Sequence, residues 1–374
     1  MQRRGSINNK PGNVYFLELL DPSKNFDFPF YKIGVTEHEV PDRIDQLQTG
    51  NPFKILKHHS FNSSAMEMVE KYLHNLYSSS RVRREWFRFN PKELPKALKE
   101  AARFNGEINE LVDAIKEFDT EPSNGKIIGP DDETSAIHNI LKEYLGEKRQ
   151  LEAKEEISRT LLQILTIDTL GIEGITDVHL RHFQPRFDER GLKQAHPKIY
   201  EKYVEIETQT HEPDTEIRES FSSRFNILKK PTIRSFPDLQ QELNDTKAKL
   251  ENLERSDLQE KLLDRTNESK ALHGDFLDNR QKIGILDGQI EALGLKLRYH
   301  CKDNDGIDGI CTYVRQLEII EPDKNAKPEV IENKYFNEEN FEESEPELYK
   351  KYALESPPSR VFQVIKYREN ISFQ

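Results

Sequence analysis

Five side chains in the first quarter of the chain, Tyr15, Lys32, Arg43, Glu70 and His74, are of the types that phosphate chemistry uses. Hydrolysis of a phosphodiester needs an in-line water, stabilisation of charge on the phosphate, and a metal or acid for the leaving oxygen. A phenol can orient a water. A guanidinium offers the planar fork that suits an oxyanion, and one carboxylate can hold a Mg²⁺ that keeps most of its waters. Taken singly, Tyr15 reads as a strand aromatic, Arg43 and Glu70 as solvated helix charges, and His74 as a capped or exposed histidine. Their order along the chain makes the set informative.

Local pattern predicts the elements that would position them. Val14, Phe16, Leu17 and Leu19 form an apolar, partly β-branched run, and Asp21-Pro22-Ser23-Lys24-Asn25 after it is turn chemistry. A hairpin follows, with Phe30 to Val35 as its second arm. Tyr15 and Lys32 then lie on neighbouring strands, where facing side chains come within about 5 Å, and Tyr31 points to the opposite face. Pro41-Asp42 opens a helix that carries Arg43 and Leu47 on one face and ends at Gly50-Asn51-Pro52. Ile55, Leu56 and Phe61 suggest a third strand. Ser63-Ser64 is expected to cap a helix with the stripe Met66, Val69, Tyr72, Leu73 and Leu76, with Glu70 and His74 sharing a face beside it. Trp86 and Phe87 read as core.

In sequence order, Gly12-Asn13-Val14-Tyr15, Tyr31-Lys32-Ile33-Gly34-Val35-Thr36, Arg43, Thr49-Gly50-Asn51-Pro52, Glu70 with His74, and Glu85-Trp86-Phe87 resemble the GIY-YIG nucleases, most closely their divergent phage-type branch. The resemblance implies a small α+β domain, a central antiparallel sheet flanked by helices, over residues 1–104. It implies catalytic positions at Tyr15, Lys32, Arg43, Glu70, Tyr31 and His74. Tyr15 would orient or deprotonate the water, its phenol lowered from about 10 by Lys32 and the metal. Arg43 would clamp the phosphate, and Glu70 would be the sole protein ligand of Mg²⁺ or Mn²⁺. His74 would hold a water of that ion or contact DNA. Two departures stand out: Lys32 occupies the place of the family's second Tyr, as it does in some active relatives, and Asn13 displaces the first Gly.

The net charge of -12 argues against a nucleic-acid partner until it is divided. Residues 1–104 hold 17 Lys and Arg against 12 Asp and Glu, a balance of +5, and the remainder carries -17. Arg81, Arg83, Arg84 and Arg88 beside the E-W-F segment form either a DNA phosphate patch or a solubility stripe. Cys301 and Cys311 lack the partners of a disulfide framework or a zinc site. With no membrane-length apolar run and no secretory signal, a cytoplasmic protein with no membrane partner is expected.

Beyond residue 105 the chain repeats itself. Gly171-Ile172-Glu173-Gly174-Ile175 returns as Gly306-Ile307-Asp308-Gly309-Ile310, and Phe187-Asp188-Glu189 with His196-Pro197-Lys198-Ile199-Tyr200 returns as Phe336-Asn337-Glu338 with Glu345-Pro346-Glu347-Leu348-Tyr349. Ser223-Arg224-Phe225 returns as Ser359-Arg360-Val361-Phe362. Three blocks in the same order indicate duplication. Each G-I-x-G-I block reads as a strand, each Pro segment as a short helix, and each R-x-F segment as a strand pairing with the first. Long helical stretches precede both copies; the second, with Gly284, Gly288 and Gly294 weakening its seam, is expected to fold as a helical hairpin. The unit resembles the C-terminal tail of YqaJ-type phage recombinase exonucleases, whose catalytic head is absent. That implies DNA guidance or assembly, with self-association or a protein partner through residues 135–374. Linkers are expected at Asp119–Glu133 and Leu228–Pro237, with a polar insertion at Glu321–Asn333.

The sequence therefore predicts a GIY-YIG-like domain (1–104), a helix and linker (105–134), and two duplicated helix-rich modules (135–234 and 236–374), each with a short β hairpin; the second includes the helical segment 238–298. The expected function is a Mg²⁺-dependent DNA endonuclease of phage or mobile-element type. One alternative is an inactive DNA-binding or recombination accessory protein, and another is an assembly platform with a vestigial head. Sequence alone leaves RNA open beside DNA.

Overall fold

The computed structural model describes residues 10–20, 29–49, 51–182, 185–211, 218–253, 257–320, 329–354 and 356–366. The turn at 21–25, Gly50, and residues 321–328 of the predicted insertion lie outside them. In chain order the head contains β1 (Gly12–Leu20), β2 (Phe30–Thr36), α1 (Val40–Gln48), β3 (Lys54–Ser63), α2 (Met66–Leu76), β4 (Arg81–Arg83), β5 (Trp86–Arg88) and α3 (Glu93–Lys116). Next come β6 (Ile127–Ile128), α4 (Asp132–Leu165), β7 (Thr169–Ile172), β8 (Thr176–Arg181), β9 (Arg186–Phe187), α5 (Glu189–Ala195), α6 (Pro197–Tyr200), β10 (Val204–His211) and β11 (Arg218–Ile227). The second stretch holds α7 (Pro237–Glu251), β12 (Gln259–Leu263), α8 (Asn267–Cys301), β13 (Gly306–Ile307), β14 (Cys311–Ile320), β15 (Glu329–Phe336), α9 (Glu338–Ser344), α10 (Pro346–Tyr352), β16 (Ala353–Leu354) and β17 (Ser359–Val364). The fold is mixed α+β, with an antiparallel sheet at the N-terminus. Among the described residues no helix is long and apolar enough to cross a membrane.

The head sheet has the order β3-β1-β2-β5-β4. Alternation along β1 divides its side chains between two faces. Val14 and Phe16 join Tyr31, Ile33 and Phe87 in a core closed by α2 and α3, while Tyr15, Leu17 and Ile55 pack under Val40 of α1. Buried Ala97, Ala101, Phe104, Ile108, Val112 and Ile115 recur at three- and four-residue spacing and turn one face of α3 to that core. The expected serine cap of α2 is not formed. Ala65 is the capping residue, Ser63 Oγ accepts from the Ala65 amide, and Ser64 Oγ donates to Asp113 at 2.8 Å.

Two compact units emerge from the contacts: residues 1–177, 221–317 and 364–374 form one, and residues 178–220 and 318–363 the other. In the first, α4 and α8 begin with matching capping boxes, Asp131 with Thr134 and Thr266 with Ser269. They lie antiparallel, because the ion pairs Glu133–His300, Lys148–Asp287 and Glu155–Arg280 run in opposite numerical directions. The second copy's helical stretch is thus two helices separated by a strand, and α7 packs on α4. Gly284 and Gly288 face α2, where an added Cβ would meet Asn75 at 2.3 Å and Tyr72 at 2.6 Å. These glycines are points of close helix approach.

The repeated blocks have matching local geometry. Each G-I-x-G-I block is a strand end and tight turn instead of one continuous strand, closed by Ile175 N–H to Ile172 at 3.0 Å and Ile310 N–H to Ile307 at 3.1 Å. Gly171 and Gly306 have φ of 122° and 154°, and a Cβ on either would lie 2.3 Å from a backbone oxygen across the turn. Sheet pairing departs from expectation. The sheet orders β11-β14-β13-β6 and β12-β7-β8-β17 join each R-x-F strand to the strand that follows the other repeat's G-I-x-G-I turn, β14 or β8, instead of to a strand of its own repeat. Cys301 and Cys311 are buried free thiols with sulfurs 3.7 Å apart.

The second unit uses the same exchange. β10 pairs with β15 and β9 with β16, and the amides of Asp188 and Asn337 each donate at 2.8 Å to Tyr352 and Tyr203. Phe187, Leu192, Tyr200 and Phe341 form its buried centre.

Candidate active site

The β1–β2 register sets Tyr15 opposite Gly34 and Lys32 opposite Leu17. Tyr15 and Lys32 are therefore diagonal neighbours on one face, a wider separation than the directly facing pair that was expected. A Cβ on residue 34 would lie 2.6 Å from the Tyr15 hydroxyl, so the ring crosses β2 only because that residue is glycine. α1 roofs the face and carries Arg43, whose charge acts on the Tyr15 phenol. Arg43 Nη1 donates to Gln46 at 2.9 Å, while its buried Nε has no hydrogen-bond partner.

Tyr15 is 1 % exposed and Lys32 is 5 % exposed. Burial raises the Tyr15 phenol, with Arg43 opposing and Glu70 adding to the rise. Burial pushes the Lys32 ammonium down to about 8, with Glu70 opposing and Arg43 reinforcing. The half-exposed Glu85 carboxylate forms an ion pair with Lys32. Lys32 is thus the basic group on this face whose proton is loosest near neutral pH.

Glu70 approaches from α2. Burial raises its carboxyl, Lys32 and Arg81 oppose, and Glu67 adds to the rise. His74 Nε2 lies 3.9 Å from Glu70 and donates to the Ile33 carbonyl at 3.0 Å. Burial, offset by that bond, takes the imidazole down to about 4, so it is neutral at physiological pH. Through that bond His74 braces α2 against β2. Arg81 Nη2 donates to the His74 carbonyl at 3.1 Å, and its guanidinium lies over Phe87.

Residues 12–102 match the T5orf172 domain. This domain is found in phage-type nuclease-like proteins. No curated protein and no solved structure matches the chain. The T5orf172 match covers β1 through most of α3, and so includes Tyr15, Lys32, Arg43, Glu70 and His74.

Within the matched residues, Tyr31 does not join the other candidates. It is buried on the opposite sheet face, packed edge-on to His58 and tilted against Phe89, and burial pushes its phenol up to about 12. Strand alternation makes this unavoidable once Lys32 faces the site. Phe87 is core as expected, but Trp86 is half-buried opposite Lys32 and therefore on the site face. Arg88, two residues on, shares that face and is half-buried. Arg83 and Arg84 are exposed at the β4–β5 turn, Arg84 with φ of 51°, while Arg81 is half-buried toward α2. Sequence reasoning missed Glu85 and Trp86 as neighbours of Lys32. Their signal was the E-W-F strand itself, whose alternation sends Trp86 and Phe87 to opposite faces.

The residues suit one hard cation: Glu70 is a single carboxylate beside partly open space, and Mg²⁺ commonly takes one or two carboxylates and retains water. Among the described residues no group of three or more His, Cys, Asp or Glu forms a fuller cage.

Proposed function

We propose that the head is a metal-dependent endonuclease that hydrolyses DNA phosphodiester bonds through a GIY-YIG-type site. The observation that carries this reading is the convergence of Tyr15 and Lys32 on one sheet face under the α1 that bears Arg43, with Arg43 and Glu70 close enough to act on both. The T5orf172 match supports a DNA-acting head.

Glu70 would hold Mg²⁺ or Mn²⁺, and the bound ion would neutralise charge on the phosphate and leaving oxygen. Arg43 binds a phosphate oxygen through its planar guanidinium. Tyr15, kept protonated by burial, orients the attacking water, and Lys32 in its neutral form accepts the proton. Arg83, Arg84 and Arg88 contact the DNA backbone. His74 positions α2, and with it Glu70. The duplicated tail, similar to that of YqaJ-type exonucleases, serves DNA guidance or assembly.

A second reading, an inactive DNA-binding or recombination accessory protein, draws on the Lys32–Glu85 ion pair, which would hold Lys32 away from a proton-transfer role. Cleavage of supercoiled plasmid with Mg²⁺ or Mn²⁺ separates the two. The nuclease reading expects nicking or linearisation that Tyr15→Phe and Glu70→Ala each lower on the order of 10³-fold without loss of DNA binding. Salt-sensitive binding with no cleavage of plain, modified or branched DNA would favour the accessory protein.

A further inference from the structure

Behind Arg81 the head and α8 enclose a cavity of about 200 Å³. Ser78, Ser79 and Arg81 line it from the head, Asp278 and Arg280 from α8, and Lys366 from the segment after β17. Its walls are fixed. Gln281 Nε2 donates to the Leu76 carbonyl at 3.2 Å, and Asn75 Nδ2 donates to the Gly284 carbonyl at 3.2 Å, tying α8 to the end of α2.

Three cations border this space against one lining carboxylate. Arg81 Nε is buried without a hydrogen-bond partner, and the Arg280 charge is close enough to act unfavourably on Arg81. Like charges gathered around a partly enclosed polar space are stabilised by an anion between them. Ligand pockets for drug-sized molecules begin near ~300 Å³, so this one suits a single phosphate group and its waters. Arg81 also acts on Glu70, and the exposed Arg83 and Arg84 continue the positive track outward.

We infer that this cavity is a phosphate subsite for a nucleic-acid strand, adjoining the phosphodiester at Glu70 and built jointly by the head and α8. The inference rests on the nuclease reading of the head. It gives the tail a direct part in substrate binding: α8 supplies Arg280, whose partner in the free protein is Glu155 at 2.8 Å. Strand entry exchanges that ion pair for a phosphate contact.

The test measures binding of a fluorescein-labelled DNA duplex to the full chain in EDTA across a salt series, for the wild type, Arg280→Gln/Lys366→Gln and Glu155→Gln. The double variant should bind more weakly, with a slope of log Kd against log salt reduced by about 1–2. Glu155→Gln, which frees Arg280, should retain the full slope, and unchanged melting temperatures exclude misfolding as the cause. An unchanged slope in the double variant, with wild-type cleavage intact, overturns the subsite and leaves the nuclease standing. A wild type that neither binds nor cleaves overturns both. Calorimetric binding of inorganic phosphate, lost in the double variant while the DNA slope stays unchanged, assigns the cavity to a free anion and overturns its role on the strand.

Discussion

Under α1 the head buries a phenol and an ammonium side by side, whereas around Phe341 the second unit buries aromatic rings and sends its polar tips outward. In the head, Tyr15 and Lys32 are almost sealed from solvent while the buried Nε of Arg43 has no hydrogen-bond partner. In the second unit Phe187 stacks on Phe336 and Tyr349, and the hydroxyls of Tyr200 and Tyr349 reach Glu189 at 2.6 Å and Glu338 at 2.9 Å. Buried charge with incomplete pairing is unfavourable for folding, and under the proposed nuclease function its retention in the head serves the site. Satisfied aromatic packing with matching bonds in both repeats is the pattern of a scaffold.

Lys32→Met puts the sharpest strain on this contrast. It replaces a buried ammonium with an apolar side chain of similar length and frees Glu85, which is half exposed. Plasmid cleavage should fall on the order of 10³-fold while the melting temperature holds or rises. A large loss of stability would mean that the ammonium is structural and that the two regions are alike. Phe341→Ala should do the opposite: it empties a fully buried ring position and should lower unfolding free energy by about 3 kcal/mol, with cleavage by the folded protein unchanged. Denaturant melts alongside the plasmid assay read both quantities.

His74 acts only in acid. Its folded pKa of about 4 lies below the ordinary value of 6.5, so the unfolded chain binds the extra proton between those limits. Its stabilising contribution is present above pH 6.5 and fades as pH falls toward 4, by at most ~1.4 kcal/mol per pH unit. Acid melts of the wild type and His74→Gln should diverge in that window. Superimposable curves would remove His74 as the brace between α2 and β2.

Much of the head was legible because its residues act through local spacing. The V-Y-F and K-I-G strands, the helix bearing Arg43 and the Glu70–His74 pair all formed where pattern placed them. The burial of Tyr15 under α1, which raises its phenol, cannot be read from residue types and order. Trp86 was misplaced for a different reason: hydrophobicity suggested core, and the pairing of Trp86 with Lys32 decided otherwise.

In the tail, sequence by itself determined the repeated blocks, whereas the turns at Gly171 and Gly306 and the capping boxes of α4 and α8 came from the structure. Sequence could not determine which strands pair. The two copies offer one another nearly the same strand patterns, so a partner within a copy and a partner across copies satisfy the same alternation. Likewise Gly284 and Gly288 read as weak points in a helix until α2 was found packed on them. Only the tertiary structure decided both, because chain connectivity and the burial of α8 against the head select among pairings that local energies leave nearly equal.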